Sequence, residues 1–381
     1  MIKRCIGIDV GSSYLRALQI LRTGERFHIE KVFRTQTRRS TDSLLDILRT
    51  LTRQHGFDRR AGIAISMPRS SVFFRSRQTG SVDAEQTSGP ESSSLEYDFP
   101  IQPDETVAQV CSYLRLPGDK YSVLTAAVSK ESLHERLDLL AGARMRPNLI
   151  DAAIFAIHSA VMVNHPEIKT VQAIIAYIDE SYLTLAITEN DNILIVRNIP
   201  IVHPSDDNND SVREQVAKVF SHEAQISWRK VFRREIGQDA KIYLVRGDDT
   251  FNGLETLIEE NLHCQTIIVN PYANVKCSVE HNGDAAICVA EGLAVRGLAP
   301  EETTGVNFLE ADNAYIKPVL NLKKELMVCA TLIVAIAVVW LIGLFVQVAN
   351  LEAEHAQVKN EIEEIFQRVL PEEKHIVNPL V

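Results

Sequence analysis

The sequence predicts an α/β fold with a repeated order of elements, followed by one membrane-spanning helix. Three observations predict it. The order strand, strand, strand, helix, strand is legible twice, first from Cys5 and again from Val171. Strand-length apolar runs alternate with segments of helical spacing, as α/β domains do. Residues 326–346, LMVCATLIVAIAVVWLIGLFV, are 21 residues without a charge.

The elements follow in order. Residues 5–10, 14–21 and 27–33 read as three strands, with Thr23, Gly24 and Glu25 in a turn. Asp42 and Ser43 can cap a helix carrying Leu44, Ile47, Leu48 and Leu51 that ends near Gly56. Residues 61–67 form a strand stopped by Pro68. Residues 77–96, RQTGSVDAEQTSGPESSSLE, carry few large apolar side chains. Such a stretch cannot offset its ordering entropy, so a mobile loop is expected. A helix near 105–114, a strand at 121–129, a helix at 130–141, a short strand and a helix at 152–163 come next. Strands at 171–176, 182–188 and 193–199 repeat the opening, with turn residues at Glu189, Asn190, Asp191 and Asn192. A polar loop at 204–210 leads to a long helix at 211–235, a strand at 242–245, a helix from Leu254, a strand at 267–269 and a closing helix at 284–296.

The 381 residues allow two or three domains, and the net charge of -10 argues against a whole-chain nucleic-acid footprint. The densest basic cluster, Arg229, Lys230, Arg233 and Arg234, reads as the solvated face of a helix. Six scattered cysteines without a C-x-x-C argue against zinc. Cys5 and Cys288 read as small buried hydrophobes in a reducing compartment. Neither H-E-x-x-H nor G-x-S-x-G occurs, and His263 beside Cys264 reads as surface packing.

As a helix, 326–346 would span roughly 32 Å, enough for a hydrocarbon core of about 30 Å. Lys317, Lys323 and Lys324 precede it, whereas Lys359 is the sole Lys or Arg in the 20 residues after it. That asymmetry puts the preceding part in the cytoplasm and the following part across the membrane. The N-terminus, MIKRCIGIDVG, is too short in its apolar run for a signal peptide. Beyond the span, Val348, Leu351, His355, Val358, Ile362, Ile365 and Val369 are spaced alternately three and four apart. They form an a/d seam over 347–370, expected to pair with a second copy or a partner helix. His355 on that seam would make the pairing pH-sensitive.

Several segments resemble the PilM family of type IV pilus assembly and the GspL family of type II secretion: GIDVGSSYLRAL at 7–18, the stretch 126–157, VRNIPI at 196–201, residues 242–262 and AAICVAEGLAVRGL at 285–298. The resemblance implies an actin-like (ribonuclease H-like, duplicated) cytoplasmic domain over 1–300, its two halves facing across a cleft. It implies a PilN-like juxtamembrane segment at 301–325. The partner motif of PilN looks like I-N-L-L-P, and Val306, Asn307, Phe308 and Leu309 stand at the matching place. The tether before Val306 reaches only roughly 20 Å, so docking on a neighbouring subunit is expected. Residues 371–381 resemble the approach to a periplasmic domain that is absent or truncated. Implied partners are PilN/PilO- or GspM-like inner-membrane proteins and a secretion or pilus motor ATPase.

In actin-like folds, backbone N–H groups of the first turn hold phosphates while an aspartate places a hydrated metal. Asp9, Gly11, Ser12 and Ser13 match that pattern. The second turn should read D-x-G, but Glu180 and Ser181 follow Asp179, and the adenosine-side turn holds one glycine, Gly247, beside Asp248 and Asp249. A carboxylate where a phosphate needs room repels it. The cleft is therefore expected to be degenerate, with at most weak ATP/Mg binding and no hydrolysis. The expected function is a single-pass inner-membrane scaffold linking a cytoplasmic motor to periplasmic alignment partners. The alternative is a membrane-anchored actin-like ATPase with genuine turnover.

Overall fold

The computed structural model describes residues 3–37, 43–79, 99–116, 120–202, 209–247, 249–279, 284–311 and 322–369. They form two compact units, Met1–Tyr315 and Ile316–Val381.

The first unit opens with β1 (Arg4–Val10), β2 (Tyr14–Thr23) and β3 (Arg26–Gln36). This antiparallel meander pairs Ile8 with Ala17 and Ala17 with Phe33. The short polar turns between apolar strands leave little choice but consecutive pairing. Helix α1 (Leu44–Arg53) is capped by the Ser43 side chain, which accepts from the Asp46 N–H. Strand β4 (Gly62–Ser66) then lies parallel to β1. Strands β5 (Phe73–Thr79), β6 (Thr106–Leu116) and β7 (Lys120–Ser129) make a separate antiparallel sheet in the order β5-β7-β6. Helix α2 (Lys130–Gly142), strand β8 (Leu149–Asp151) and helix α3 (Ala153–Asn164) lead back to the first sheet, where β8 runs parallel to β4.

The second meander is β9 (Gln172–Ile178), β10 (Tyr182–Glu189) and β11 (Asn192–Pro200). Helix α4 (Asn209–Phe232), strand β12 (Lys241–Arg246), helix α5 (Leu254–Leu262) and strand β13 (Gln265–Ile268) follow. Strand β14 (Lys276–Cys277) and helices α6 (Ile287–Leu298) and α7 (Phe308–Ala311) close the unit. The two main sheets run β14-β3-β2-β1-β4-β8 and β11-β10-β9-β12-β13. The duplicated order is present: β1-β2-β3-α1-β4 matches β9-β10-β11-α4-β12.

Two cores hold the unit together. α3 and α6 are buried on nearly every side, which fits their sequences, AIFAIHSAVMVN and ICVAEGLAVRGL, with hardly a polar face. They share a core with the first sheet through residues such as Ile8, Leu18 and Phe155. Phe220 and Trp228 of α4 pack with Ile174, Leu185 and Leu244 in the second. Cys5 and Cys288 are buried free thiols, as expected.

Two expectations need correction. The helix near 105–114 is strand β6. Thr106, Val107 and Val110 favour a pleated surface, and pairing of Val107 with Val128 and Tyr113 with Val123 across β7 outweighs the helical spacing. Arg77, Gln78 and Thr79 end strand β5 rather than beginning a loop, because they pair with Val123, Ser122 and Tyr121. The rest of the expected mobile loop lies outside the described residues, as does most of the loop at 204–210. The juxtamembrane segment contains the short helix α7.

The second unit is helix α8 (Leu322–Val369), 48 residues long. Its portion Thr331–Ile365 is long and apolar enough to cross a membrane. Val348, Leu351, Val358 and Ile365 are exposed along the expected seam, and His355 lies among them. The side chain of Val369 and all of 371–381 lie outside the described residues.

Candidate functional site

The two meander turns face one another. Gly11 N–H donates to Tyr14 O (2.9 Å) and Asp179 N–H to Tyr182 O (3.1 Å), so each turn is closed by its own backbone. Asp179 Oδ1 also accepts from the N–H groups of Ser181 (2.8 Å) and Tyr182 (3.0 Å). This is how an aspartate followed by no glycine still makes a tight turn.

The turns are joined by their own side chains. Ser12 Oγ donates to Asp179 Oδ2 (3.0 Å), and Ser13 Oγ to Glu180 Oε2 (2.6 Å). Arg69, which follows the Pro68 that stops β4, forms a buried ion pair with Asp179 and lies 4.2 Å from the Tyr177 ring centroid. Arg16 of β2, 2% exposed, donates to Asp284 Oδ2 (2.9 Å) and to the carbonyl of Gly247. Gly247 packs against Asp179 so closely that a Cβ on it would stand 2.6 Å from the Asp179 Cβ. Asp9 is buried; Ser66 Oγ donates to its Oδ1 (2.9 Å), and its Oδ2 has no hydrogen-bond partner. Burial pushes the Asp9 carboxyl above the ordinary carboxylate range, against the pull of Arg16 and Ser66.

Asp9, Ser12, Ser13, Asp179 and Gly247 are thus gathered in one place, as the sequence predicts, with Gly11 shaping the turn. Asp248 lies outside the described residues. In this structure their side chains are engaged with one another. Ser12 and Ser13, whose hydroxyls would face a phosphate, instead donate to carboxylates across the cleft. Asp179 already has a cationic partner in Arg69, and Gly247 and Asp179 are in contact. Arg16 and Arg69 were not read from the sequence. They stand 53 positions apart, and no local pattern marks either.

Val306, Asn307, Phe308 and Leu309 form a second site, and they dock within their own unit. Val306 and Phe308 are essentially inaccessible and Leu309 is buried; all three join the first core. Asn307 does the polar work. Its Oδ1 accepts from the N–H of Ile150 (3.3 Å) on the edge strand β8 and from Leu309 N–H (3.3 Å), and its Nδ2 donates to Asn148 O (3.4 Å). Its own N–H donates to Gln109 Oε1 of β6 (2.8 Å). One side chain therefore caps α7 and covers part of an exposed sheet edge. Arg296 of α6 holds the approach: it pairs with buried Asp151 and donates to Val306 O (3.1 Å) and to the carbonyl of Thr304. Gly305, with φ 153°, passes too close to that guanidinium to carry a side chain. The short tether therefore reaches its own groove, which corrects the expectation of docking on a neighbouring subunit.

With the duplicated sheets, facing turns and docked tail in view, solved structures of the same shape can be compared. The PilM–PilN type IV pilus biogenesis complex superposes with a TM-score of 0.62 at 18% identity, over 77% of this chain and 98% of that one. This chain has the actin-like fold. The cytoplasmic domain of EpsL, an inner-membrane component of the Vibrio cholerae type II secretion system, matches over 80% of this chain and 98% of that one, at 10% identity and a TM-score of 0.45. The activator of a 2-hydroxyisocaproyl-CoA dehydratase from Clostridium difficile, solved with bound ADPNP, matches over 78% and 97% at 10% identity and a TM-score of 0.39. No family model and no curated protein matches the chain.

Proposed function

We propose that this protein is a single-pass inner-membrane scaffold of a type IV pilus or type II secretion assembly platform. Its actin-like unit holds cytoplasmic components, and α8 carries their position across the membrane. The observation that carries this reading is the segment 306–309, folded into an actin-like unit and followed in the chain by a helix long and apolar enough to cross a membrane. The PilM–PilN structure supports it, because there a PilM fold and a PilN chain occur together. Here the PilN-like segment would be part of the same chain. Lys317, Lys323 and Lys324 ahead of the apolar run favour a cytoplasmic first unit. The exposed seam of Val348, Leu351, Val358, Ile362 and Ile365 would pair with a second copy or with a PilO- or GspM-like helix beyond the membrane.

In this reading the cleft is structural. Arg16 and Arg69 supply, beside Asp284 and Asp179, the positive charge that a nucleotide's metal ion would otherwise bring, so in this reading the unit neither needs ATP nor turns it over. Deleting the gene should abolish surface fibres or exoprotein release. Complementation by the wild type should restore it, and a Phe308→Asp variant should not. Normal fibres and secretion in the deletion strain would refute the scaffold role.

A further inference from the structure

Strands β1, β4 and β8 run parallel, and their two ends carry different chemistry. The C-terminal ends hold Asp9, Ser66 and Asp151 of the cleft and the groove. The N-terminal ends are basic. The connection from α1 into β4 presents Arg53, Arg59 and Arg60, and that from α2 into β8 presents Arg144 and Arg146, all exposed. The two connections meet where Asn148 N–H donates to Ile63 O (2.7 Å) and Ile63 N–H to Asn148 Oδ1 (3.0 Å). Cys5 lies opposite Gly62, so exposed Lys3 enters β1 at the level where Arg60 approaches β4. Met145 is buried, which leaves the arginines on either side of it on the surface. Arg144 holds a left-handed position (φ 59°) that glycine would fill at lower cost.

These cations are free of internal duties. None of their side chains has an ion pair or hydrogen bond among the described residues. Nearby Glu30, Glu302 and Asp46 are taken by Arg4, Arg22 and Arg49. The carboxylate within the two connections is Asp58, whose Oδ1 accepts the Arg60 N–H (2.9 Å). Glu25, Asp138, Glu301 and Glu310 are exposed on neighbouring segments, as is Arg26, and the face keeps an excess of positive charge on a chain of net charge -10. The tail runs toward this face. Val306 N–H donates to Asp151 Oδ1 (3.4 Å), and Asn307 then meets Ile150 and Asn148, so the chain descends β8 toward its N-terminal end. The uncharged run starts at Leu326, and the intervening residues 312–325 can reach at most about 50 Å.

We infer that the face formed by Lys3, Arg53, Arg59, Arg60, Arg144 and Arg146 rests on anionic phospholipid headgroups. The inference rests on the reading of α8 as a membrane span. A tether of this length holds the face at high effective concentration over the bilayer, so weak attraction suffices. Anionic lipids attract clustered Lys and Arg within a Debye length of the surface, and guanidinium groups match phosphate oxygens well. A lipid surface fits better than an acidic peptide, because the cations are spread over separate segments and need only net negative charge opposite them. The cleft, at the other end of the same strands, would then face away from the lipid.

The test places the full-length chain in nanodiscs of phosphatidylcholine alone or with about 30% phosphatidylglycerol. Arginines are modified with phenylglyoxal, and the rate at each is read by peptide mass spectrometry. Arg59, Arg60, Arg144 and Arg146 should react at least about threefold more slowly in the anionic discs, and about 0.5 M NaCl should remove the difference. Exposed Arg233, in the second half of the unit, should react equally in both. In an Arg60→Glu, Arg146→Glu variant, the protection of Arg53 and Arg59 should be lost. Equal rates at the face in the two discs would overturn the inference and leave the face to an acidic protein partner. Protection that survives in the double variant would also overturn it. A chain that fails to enter the discs would overturn the membrane reading and this inference with it.

Discussion

The inter-turn cleft and the groove for residues 306–309 are both filled by the chain itself, but with different materials. The cleft is filled by charge: Arg16 and Arg69 against Asp284 and Asp179, with two serine hydroxyls donating across it. The groove is filled by apolar side chains around one asparagine. The difference teaches how each can fail. Apolar filling loses free energy in proportion to the atoms removed. Charged filling contributes little in net terms, yet breaking one partner leaves a buried charge uncompensated.

The comparison can be broken at either end, and unfolding of the full chain in detergent, followed by the fluorescence of buried Trp228 in a Trp340→Phe background, reads both. The largest effect is expected in the groove. Phe308→Ala removes a fully buried ring and should cost about 4 kcal/mol. In the cleft, Arg69→Met should cost about 3 kcal/mol by stranding Asp179. Arg69→Met with Asp179→Asn, which keeps an oxygen for the Ser181 and Tyr182 N–H groups, should recover most of it; failure to recover would mean that Arg69 acts through packing alone.

Next is a pH effect outside both sites. Burial lowers His158 of α3 to about 4, with Arg296 adding to the shift. The unfolded chain then takes up that proton first, so the contribution of neutral His158 is intact above pH 6.5 and is lost as pH falls toward 4. About 2 kcal/mol should be gone by pH 5, and His158→Leu should remove that part of the pH dependence. The smallest expected effect is Asn307→Ala, about 1–2 kcal/mol, because it leaves Ile150 N–H and Leu309 N–H without their acceptor.

The sequence made the duplicated order legible because its strands are separated by tight turns and its helices carry clean periodicity. Strand β6 was hidden because Ala108, Cys111 and Leu114 fall at helical spacing, and only pairing with β7, which skips Cys111 at a bulge, decides for a strand. In the cleft, local spacing made the residues legible as hairpin turns, the resemblance made them a cleft, and Glu180 signalled the departure. What fills the cleft was not legible, since Arg16, Arg69 and Asp284 meet only after folding. Likewise Asn307 stood out by resemblance, while its partners Gln109, Asn148 and Ile150 belong to distant strands and loops.

The central claim is that the actin-like cleft is closed by its own side chains and serves as structure. The most direct measurement is calorimetric titration of the full-length chain in nanodiscs with Mg-ATP, with phosphate release followed in parallel. The account predicts no saturable heat and no release above the protein-free rate. Saturable binding, with turnover lost in Asp9→Asn, would contradict it.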